Sequence, residues 1–422
     1  MILLLDRYRK YKVNLVEKNL KEIESTLDVL ARFSNKDETD IIDNLGNMLT
    51  PSYTKTDIAS MLSTTEDRVQ GKMDELADNE GEFFARDNRK WCQATREQTL
   101  KILSAFNIKT IAEIRAENEE GYEPQVILVN KAKGGVAKTT TAIHLAVQAA
   151  LDVRKNRRVV ILDGDIQGSL RHYLAASHLD EDDFHSVYSL IKENIHLSRE
   201  ERLSPEKQKE FKEYLMSNIV CESLVDNLWF IPSVITDIEL GVMIAKELAD
   251  SSAGIDSALS IYNDIIFEPL KGLFDLIIVD SGPSPDALVF NLMYAANHLI
   301  IPTTGRTQDF RAYEQYQRLL KILLEVLMPD SFKGFYSINA LIVKHQNKPE
   351  FEDVVNKVVA AGRCFSTRIS ENKKYEEAAV AKLPLQIFKT SRTKAFKEAL
   401  ASLTSFYSEV NAIISVHEQK LK

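Results

Sequence analysis

Cysteine is scarce in this chain. Cys92, Cys221 and Cys364 are the only three in 422 residues; they lie far apart and form no CxxC pair. Such spacing argues against a metal cluster or a disulfide framework and fits a reduced, cytoplasmic setting. Long apolar runs are missing as well. The N-terminus, MILLLDRYRKYK, carries a four-residue apolar run after Met1, too short for a signal peptide, and no later stretch reaches spanning length. A soluble protein is expected, with a peripheral membrane role left open. Internal repeats and low-complexity tracts are absent. Positive charge is in deficit too, with a formal net charge of −9. The molecule as a whole is therefore no basic nucleic-acid coat, and any DNA contact must come from local patches.

What is present is the balance of an ordinary globular protein, 44% hydrophobic and 27% charged, long enough for two or three domains. Three textures divide it. Residues 1–50 contain a helical stretch from about Leu15 to Phe33, where Leu20, Ile23, Leu27, Leu30 and Ala31 recur at helical spacing. It reads either as a helix packed on its own domain or as a dimerisation helix. Residues 51–118 read as helix, turn, helix, short hairpin and helix. Thr54 to Leu62 is one helix, Ser63 and Thr64 break it, and Thr65 caps a second that runs to Leu76. Ile58, Ala59, Leu62 and Val69 fall where a helix-turn-helix needs apolar or small residues, with Ser63 where that motif often has glycine. Arg86, Arg89 and Lys90 flank Trp91, as on the wing of a winged helix. With Arg68 and Lys72 they are the candidate DNA contacts here, against the plainer reading of a small helical domain with a solvated basic face. Residues 119–422 alternate short β-branched runs with helical segments: VILVN at 126–130, VVILD at 159–163, LWFIP at 228–232, LIIVD at 276–280, HLIIP at 298–302 and INALIV at 338–343. That alternation predicts an α/β domain, a parallel sheet flanked by helices. The acidic helical stretch 180–226 reads as an insertion between strands.

The strongest signal is Lys133-Gly134-Gly135-Val136-Ala137-Lys138-Thr139-Thr140, which follows the strand VILVN and opens a helix. This is the context a P-loop requires. Two glycines let several backbone N–H groups face one point, and the helix N-terminus adds its positive end. Lys138 supplies a charge to the β- and γ-phosphates of a nucleotide, and the Thr139 hydroxyl a ligand for Mg²⁺. Asp163 and Asp165 end one strand in VVILDGDIQGS. Asp280 ends another in FDLIIVDSGPSPD and reads as the Walker B acid.

Lys133 departs from the pattern GxxxxGK(S/T), and Ala137 replaces its last glycine. In this KGGxxKT form the sequence resembles the ParA/MinD/nitrogenase iron-protein superfamily, over roughly residues 50–415. The resemblance implies that Lys133 crosses a dimer interface to the phosphates of the partner's ATP. It implies that Asp165 positions the attacking water, and that Asp163 organises Mg²⁺ and the loop lysine, although Ile166 replaces the family's proline. Ala137 is expected to be harmless provided its backbone keeps to the ordinary region. Gly282-Pro283 replaces the usual Pro-Pro pair of a γ-phosphate-sensing turn, and Thr303 to Phe310 resembles the family's base side.

A second basic island spans 363–397. Arg363, Arg368, Lys373, Lys374, Arg392, Lys394 and Lys397 are its candidates for non-specific DNA binding, the alternative being a solvated helical face. Among superfamily branches, the iron-protein branch needs cluster cysteines that are absent here. The tail FYSEVNAIISVHEQKLK has Phe406, Val410, Ile413 and Ile414 on one side and few cations, so it reads as a packing helix rather than a membrane anchor. The extension at 51–118 makes the chain most similar to the larger, plasmid-type (type Ia) partition ATPases. Resemblance to that group implies an Mg-ATP homodimer that binds chromosomal DNA and is recycled by a ParB-type partner, and that represses its own operon. It also implies a cytoplasmic, nucleoid-associated protein without stable membrane association. A nucleotide-gated repressor without a cargo role, a MinD-like membrane-associated ATPase, and filaments versus discrete dimers stay open.

Overall fold

The computed structural model describes residues 21, 52–86, 92–117, 123–131, 133–175, 184–250, 254–388 and 393–420. Two units are distinguished, Met1–Met48 and Leu49–Lys422. The helix expected at 15–33 lies outside the described residues except for Lys21, which is helical.

In the second unit, β1 (Tyr53–Thr54) leads into α1 (Lys55–Leu62) and α2 (Glu66–Glu80). Thr54 caps α1 in a reciprocal box with Asp57, and the Thr65 hydroxyl accepts from the Arg68 N–H at the start of α2. Ser63 closes α1 at φ 50°, the left-handed conformation that explains why glycine is common at this point of the motif. β2 (Ala85–Arg86) and β3 (Cys92–Ala94) pair antiparallel, β1 joins the other edge of β3, and α3 (Arg96–Ala105) follows. Ile58, Val69, Met73, Ile102 and Leu103 form the core of this region. The region does not stand apart. Val153 enters the same core, Tyr53 donates its hydroxyl to the Leu151 carbonyl at 3.1 Å, and Arg96 donates to the Ala150 carbonyl at 2.9 Å.

The six apolar runs all become strands of one sheet: β4 (Gln125–Val129), β5 (Val159–Gly164), β7 (Leu228–Ile231), β8 (Leu276–Ser281), β9 (His298–Thr303) and β10 (Ser337–His345). With the short β6 (Cys221–Glu222) and the edge strand β11 (Cys364–Ser370), the order is β11-β10-β9-β4-β8-β5-β7-β6. All neighbours are parallel except β6 and β7. Side chains alternate between two cores. Val126 and Leu128 of β4 enter one, Ile127 and Val129 the other. The helices at 188–214 cover the first core through Ile191 and Phe211, which places the acidic insertion between β5 and β6 as expected. The helix α4 (Lys138–Leu151), which opens at the P-loop, packs on the second core.

The C-terminal helix, Lys394–Lys420, buries Phe406, Val410 and Ile414 in that same core. Its apolar side is therefore spent on packing, and among the described residues no helix is long and apolar enough to cross a membrane. Near its end Glu418 accepts from the Arg157 guanidinium at 2.7 and 2.8 Å, with both side chains buried. Removing one member of a buried pair strands the other charge. Glu418→Ala is expected to lower unfolding free energy by about 3 kcal/mol, read by denaturant titration, with Glu418→Gln losing less.

Candidate functional site

β4 and β8 lie side by side at the centre of the sheet, and β5 adjoins β8. β4 leads directly into the P-loop. β5 and β8 run in register, so that Asp163 faces Asp280 and Gly164 faces Ser281. The three motifs separated by up to 147 positions in the chain (133 to 280) thus meet at the carboxyl edge of a parallel sheet, where such folds bind ligands.

Two buried groups there lack protein partners of good geometry. Both carboxylate oxygens of Asp280 are buried without a hydrogen bond. Burial pushes this carboxyl up to about 7; the nearby Thr139 hydroxyl and the Lys138 charge ease it only in part. Lys138 is buried at the first position of α4, and its ammonium reaches the Lys133 carbonyl only at 3.4 Å. Burial pulls Lys138 down, against the opposing pull of Asp280 and Asp165. A dry cation facing one way and a dry anion beside it fit a polyphosphate and its divalent cation. Thr139 and Asp280 would hold the metal, Asp280 through its water shell.

Asp163 serves the loop. Its carboxylate accepts from the backbone N–H groups of Asp165 (3.2 Å) and Leu170 (3.1 Å), and burial beside Asp280 holds the carboxyl well above the usual range. Asp165 is half-buried and accepts from the Gln167 N–H at 3.1 Å, shaping the turn after β5. Gly164 can only be glycine, because a Cβ there would lie 2.8 Å from the Asp280 carbonyl oxygen. Gly282 N–H reaches the Gly164 carbonyl at 3.3 Å, joining the two loops. Gly134, Gly135 and Thr140 are exposed, and Val136 is buried beneath them.

Ala137 departs from expectation. Its backbone sits at φ 57°, ψ 36°, in the left-handed region rather than the ordinary one. The turn into α4 demands that conformation, and the methyl group strains it. Lys133 also has a closer partner than expected. Its ammonium bonds the Asp309 carboxylate of the same chain, which in turn receives the Thr304 hydroxyl. Burial pushes Asp309 up, but Lys133, Thr304 and Lys131 pull harder, and its net direction is down. Lys131, fully buried, donates to Thr303 at 2.8 Å and to the Asp309 carbonyl at 3.2 Å, and burial lowers it to about 8. The segment 303–310, read as the base side, thus lies against the loop lysines.

A cavity of about 370 Å³ adjoins the other side of the P-loop, bounded by Thr140, His144, Tyr173, Lys344, Asn372 and Tyr375. His144 is neutral there, lowered to about 4 by burial; its Nδ1 donates to the Thr140 carbonyl and its Nε2 accepts from the Leu385 N–H. Lys344 donates to the Gly135 carbonyl at 3.0 Å. Apart from Thr140, none of these residues belongs to a short motif, and only their convergence on the P-loop marks them.

A family model described as AAA domain matches residues 124–328. Plasmid partition protein A of Escherichia coli is 24% identical over 54% of this chain and 53% of its own length. Chromosome-partitioning ATPase Soj of Treponema pallidum is 26% identical over 62% of this chain and 89% of its own. Over this region the chain is similar to ParA-type partition proteins. The chain spans about half the length of the Escherichia coli relative. Its fold is that of a solved chain described as Partition Protein, with a TM-score of 0.61 and 18% identity over 93% of this chain and 99% of that one.

The DNA candidates scatter. Arg68 is exposed, 5.9 Å over the Phe106 ring, while Lys72 pairs with Glu75 at 2.6 Å. The exposed side of α2 also carries Glu66, Asp67, Asp74, Glu75, Asp78 and Glu80, an acidic face poorly suited to phosphates. Arg86 ends β2; Arg89, Lys90 and Arg392 lie outside the described residues. In the second island Arg368 is taken up by Glu352 at 2.8 Å, Lys374 by Glu377, and Lys394 lies 3.8 Å from Glu398. Arg363, Lys373 and Lys397 are exposed.

Two outcomes are expected. Ala137→Gly relieves the left-handed strain and raises unfolding free energy by about 1 kcal/mol. Asp280 is charged only above its raised pKa, so in the nucleotide-free protein its burial costs stability as pH climbs from the ordinary value of 3.8 to about 7. Asp280→Asn should therefore raise Tm at about pH 8 and change it little at about pH 5, in a thermal-melt series without nucleotide.

Proposed function

We propose that this chain is a DNA-partition ATPase that binds Mg-ATP at the P-loop, closes as a homodimer around it, and grips DNA in that state. The observation that carries the reading is a buried Asp280 carboxylate without a hydrogen bond beside a buried Lys138 whose ammonium has only a long bond to the Lys133 carbonyl, converging where the P-loop meets β8. The relatives' names support it, one being a plasmid partition protein and one a chromosome-partitioning ATPase. The 370 Å³ cavity beside Thr140, lined by Tyr375, takes the base in place of the 303–310 segment expected on the base side.

Backbone N–H groups of 134–139 and the Lys138 ammonium hold the β- and γ-phosphates. Mg²⁺, when bound, neutralises developing charge on the transferred phosphoryl group. Asp165 orients the attacking water. Lys133 leaves Asp309 and reaches the γ-phosphate bound to the other subunit, so that closure completes the charge balance of both sites. Hydrolysis is slow until a ParB-type partner stimulates it, and its free energy drives switching between DNA-bound and free states. The island around Arg363, Lys373 and Lys397 supplies sequence-independent contacts. The winged helix-turn-helix at 51–118 serves autorepression, with Arg68 and the basic residues Arg86, Arg89 and Lys90 doing what the acidic side of α2 does not. Together these place the protein on the nucleoid.

Lys138→Ala should weaken nucleotide binding about a hundredfold, the loss of a charge-assisted phosphate contact in a dry site. Lys133→Ala should keep nucleotide binding yet lose ATP-dependent dimers in sedimentation, and Asp165→Ala should hold the ATP form on random duplex. Normal ATP dimers of Lys133→Ala would refute the crossing lysine, and native hydrolysis by Asp165→Ala would refute the water-positioning role.

A further inference from the structure

The helix α5 (Ile238–Ala249) has two apolar sides. One buries Leu240 and Ile244 in the core beneath the sheet, with Met243 and Leu248 packed beside them. The other faces solvent. Ile235, in the turn before the helix, is 74% exposed, Ile238 58% and Val242 57%; Ala245 and Ala249 are exposed on the same line. These positions recur at intervals of three and four residues, the spacing of a helix–helix seam. Isolated exposed apolar residues need no explanation, but a continuous seam of them does. At Gly241 an added Cβ would meet nothing within 4 Å, so among the described residues none packs against the helix at that point.

From this pattern we infer that the seam is an interface for a second copy of this chain, packed antiparallel about a two-fold axis through Val242. The order of sizes argues for that occupant. Large side chains, Ile235 and Ile238, lie before Val242; small ones, Ala245 and Ala249, lie after it. About a two-fold at Val242, Ile235 meets Ala249 of the second copy, Ile238 meets the small surface at Ala245 and the aliphatic stem of Lys246, and Val242 meets itself. Large packs on small along the whole line, as an isologous contact requires. The ends complement in charge as well. Glu239 comes beside Lys246 of the second copy, twice by symmetry, and both are exposed here. A parallel arrangement would set Ile against Ile at one end and leave the alanines facing a gap at the other.

The seam is tied to the loop that carries Asp165. The Ser233 carbonyl, two residues before Ile235, accepts from the Arg171 guanidinium at 3.2 Å, and a Cβ on Gly168 would stand 3.0 Å from the same oxygen. The interface thus begins one turn from the segment that ends in the candidate water-positioning acid. It stands on these contacts alone and holds whether or not ATP closes the dimer proposed above, so it is tested without nucleotide.

The full-length protein, with Cys92, Cys221 and Cys364 replaced by serine, receives single cysteines and mild oxidation. Val242→Cys lies on the axis and should form an intermolecular disulfide. Ala249→Cys faces Ile235 rather than itself and should not, whereas a mixture of Ala249→Cys with Ile235→Cys should link the two. Because these side chains are exposed, Ile238→Asp and Val242→Asp should fold normally and weaken self-association at least about tenfold in sedimentation equilibrium, the scale of losing a central apolar contact. Absence of the Val242→Cys disulfide, equal linking at all three positions, or self-association unchanged by both aspartates would each overturn the interface.

Discussion

Dehydrated charge at one edge of the sheet is the constraint around which this molecule is organised. β4, β5 and β8 end together and bring Lys138, Asp163 and Asp280 out of water within one small region. Each group is costly there. Asp163 recovers part of the cost through two backbone N–H groups, and in doing so fixes the turn that presents Asp165. Asp280 recovers almost none. The surrounding sheet, apolar on both faces, supplies the stability that tolerates the deficit. Gly164 permits the tight approach of β5 to β8, and Ala137 is held in a left-handed turn that its methyl group resists. Strain and unpaired charge gather at the P-loop and its facing carboxylates, and a ligand that supplies the missing partners would relieve the unpaired charge.

How far the sequence discloses this depends on the range of each interaction. The six central strands are legible because burial on both faces demands unbroken apolar runs. β11 is not, because at the sheet edge it buries only Phe365 and Ile369 between polar residues, and its pattern is too sparse to stand out. The P-loop, the two strand-end aspartates and the caps of α1 and α2 follow from local chemistry that a few neighbouring residues decide. Asp309 escapes notice because its meaning lies in Lys133, 176 positions away, and no motif surrounds it. The backbone angle of Ala137 escapes for a different reason: residue identity alone does not tell which of two allowed regions a turn will impose. The acidic side of α2 was readable residue by residue, yet only the helix phase shows that its acids share the solvent face while Lys72 bends to Glu75.

Local charge balance also separates the two basic islands. Around the sheet's edge strand, Arg368 and Lys374 are neutralised by Glu352 and Glu377, while Arg363, Lys373 and Lys397 remain exposed. Exposed cations gain little from contacts within the chain and much from displacing counterions on a polyanion. The C-terminal helix lies in the same neighbourhood, contacting β11 and pinned by the buried Arg157–Glu418 pair, so this surface is set on a rigid support. A polyelectrolyte surface of that kind would read no sequence, in keeping with the sequence-independent contacts proposed above.

The pairing of Lys133 with Asp309 bears directly on how a nucleotide is sensed in the proposed cycle. In the chain as it stands Lys133 already has a carboxylate, so a phosphate must outcompete it. The ammonium is partly exposed and Asp309 is not. Releasing Lys133 therefore leaves a buried carboxylate that must be satisfied by Thr304 and by Lys131, whose own ammonium already rests on Thr303 and the Asp309 carbonyl. That residual support makes the exchange affordable without making it free. A diphosphate ends short of the position where the γ-phosphate would draw Lys133 away, while a triphosphate presents added charge there. The discrimination between the two nucleotides then arises from a competition between Asp309 and the γ-phosphate for one lysine, and the threshold is set by how well Lys131 and Thr304 hold the carboxylate left behind.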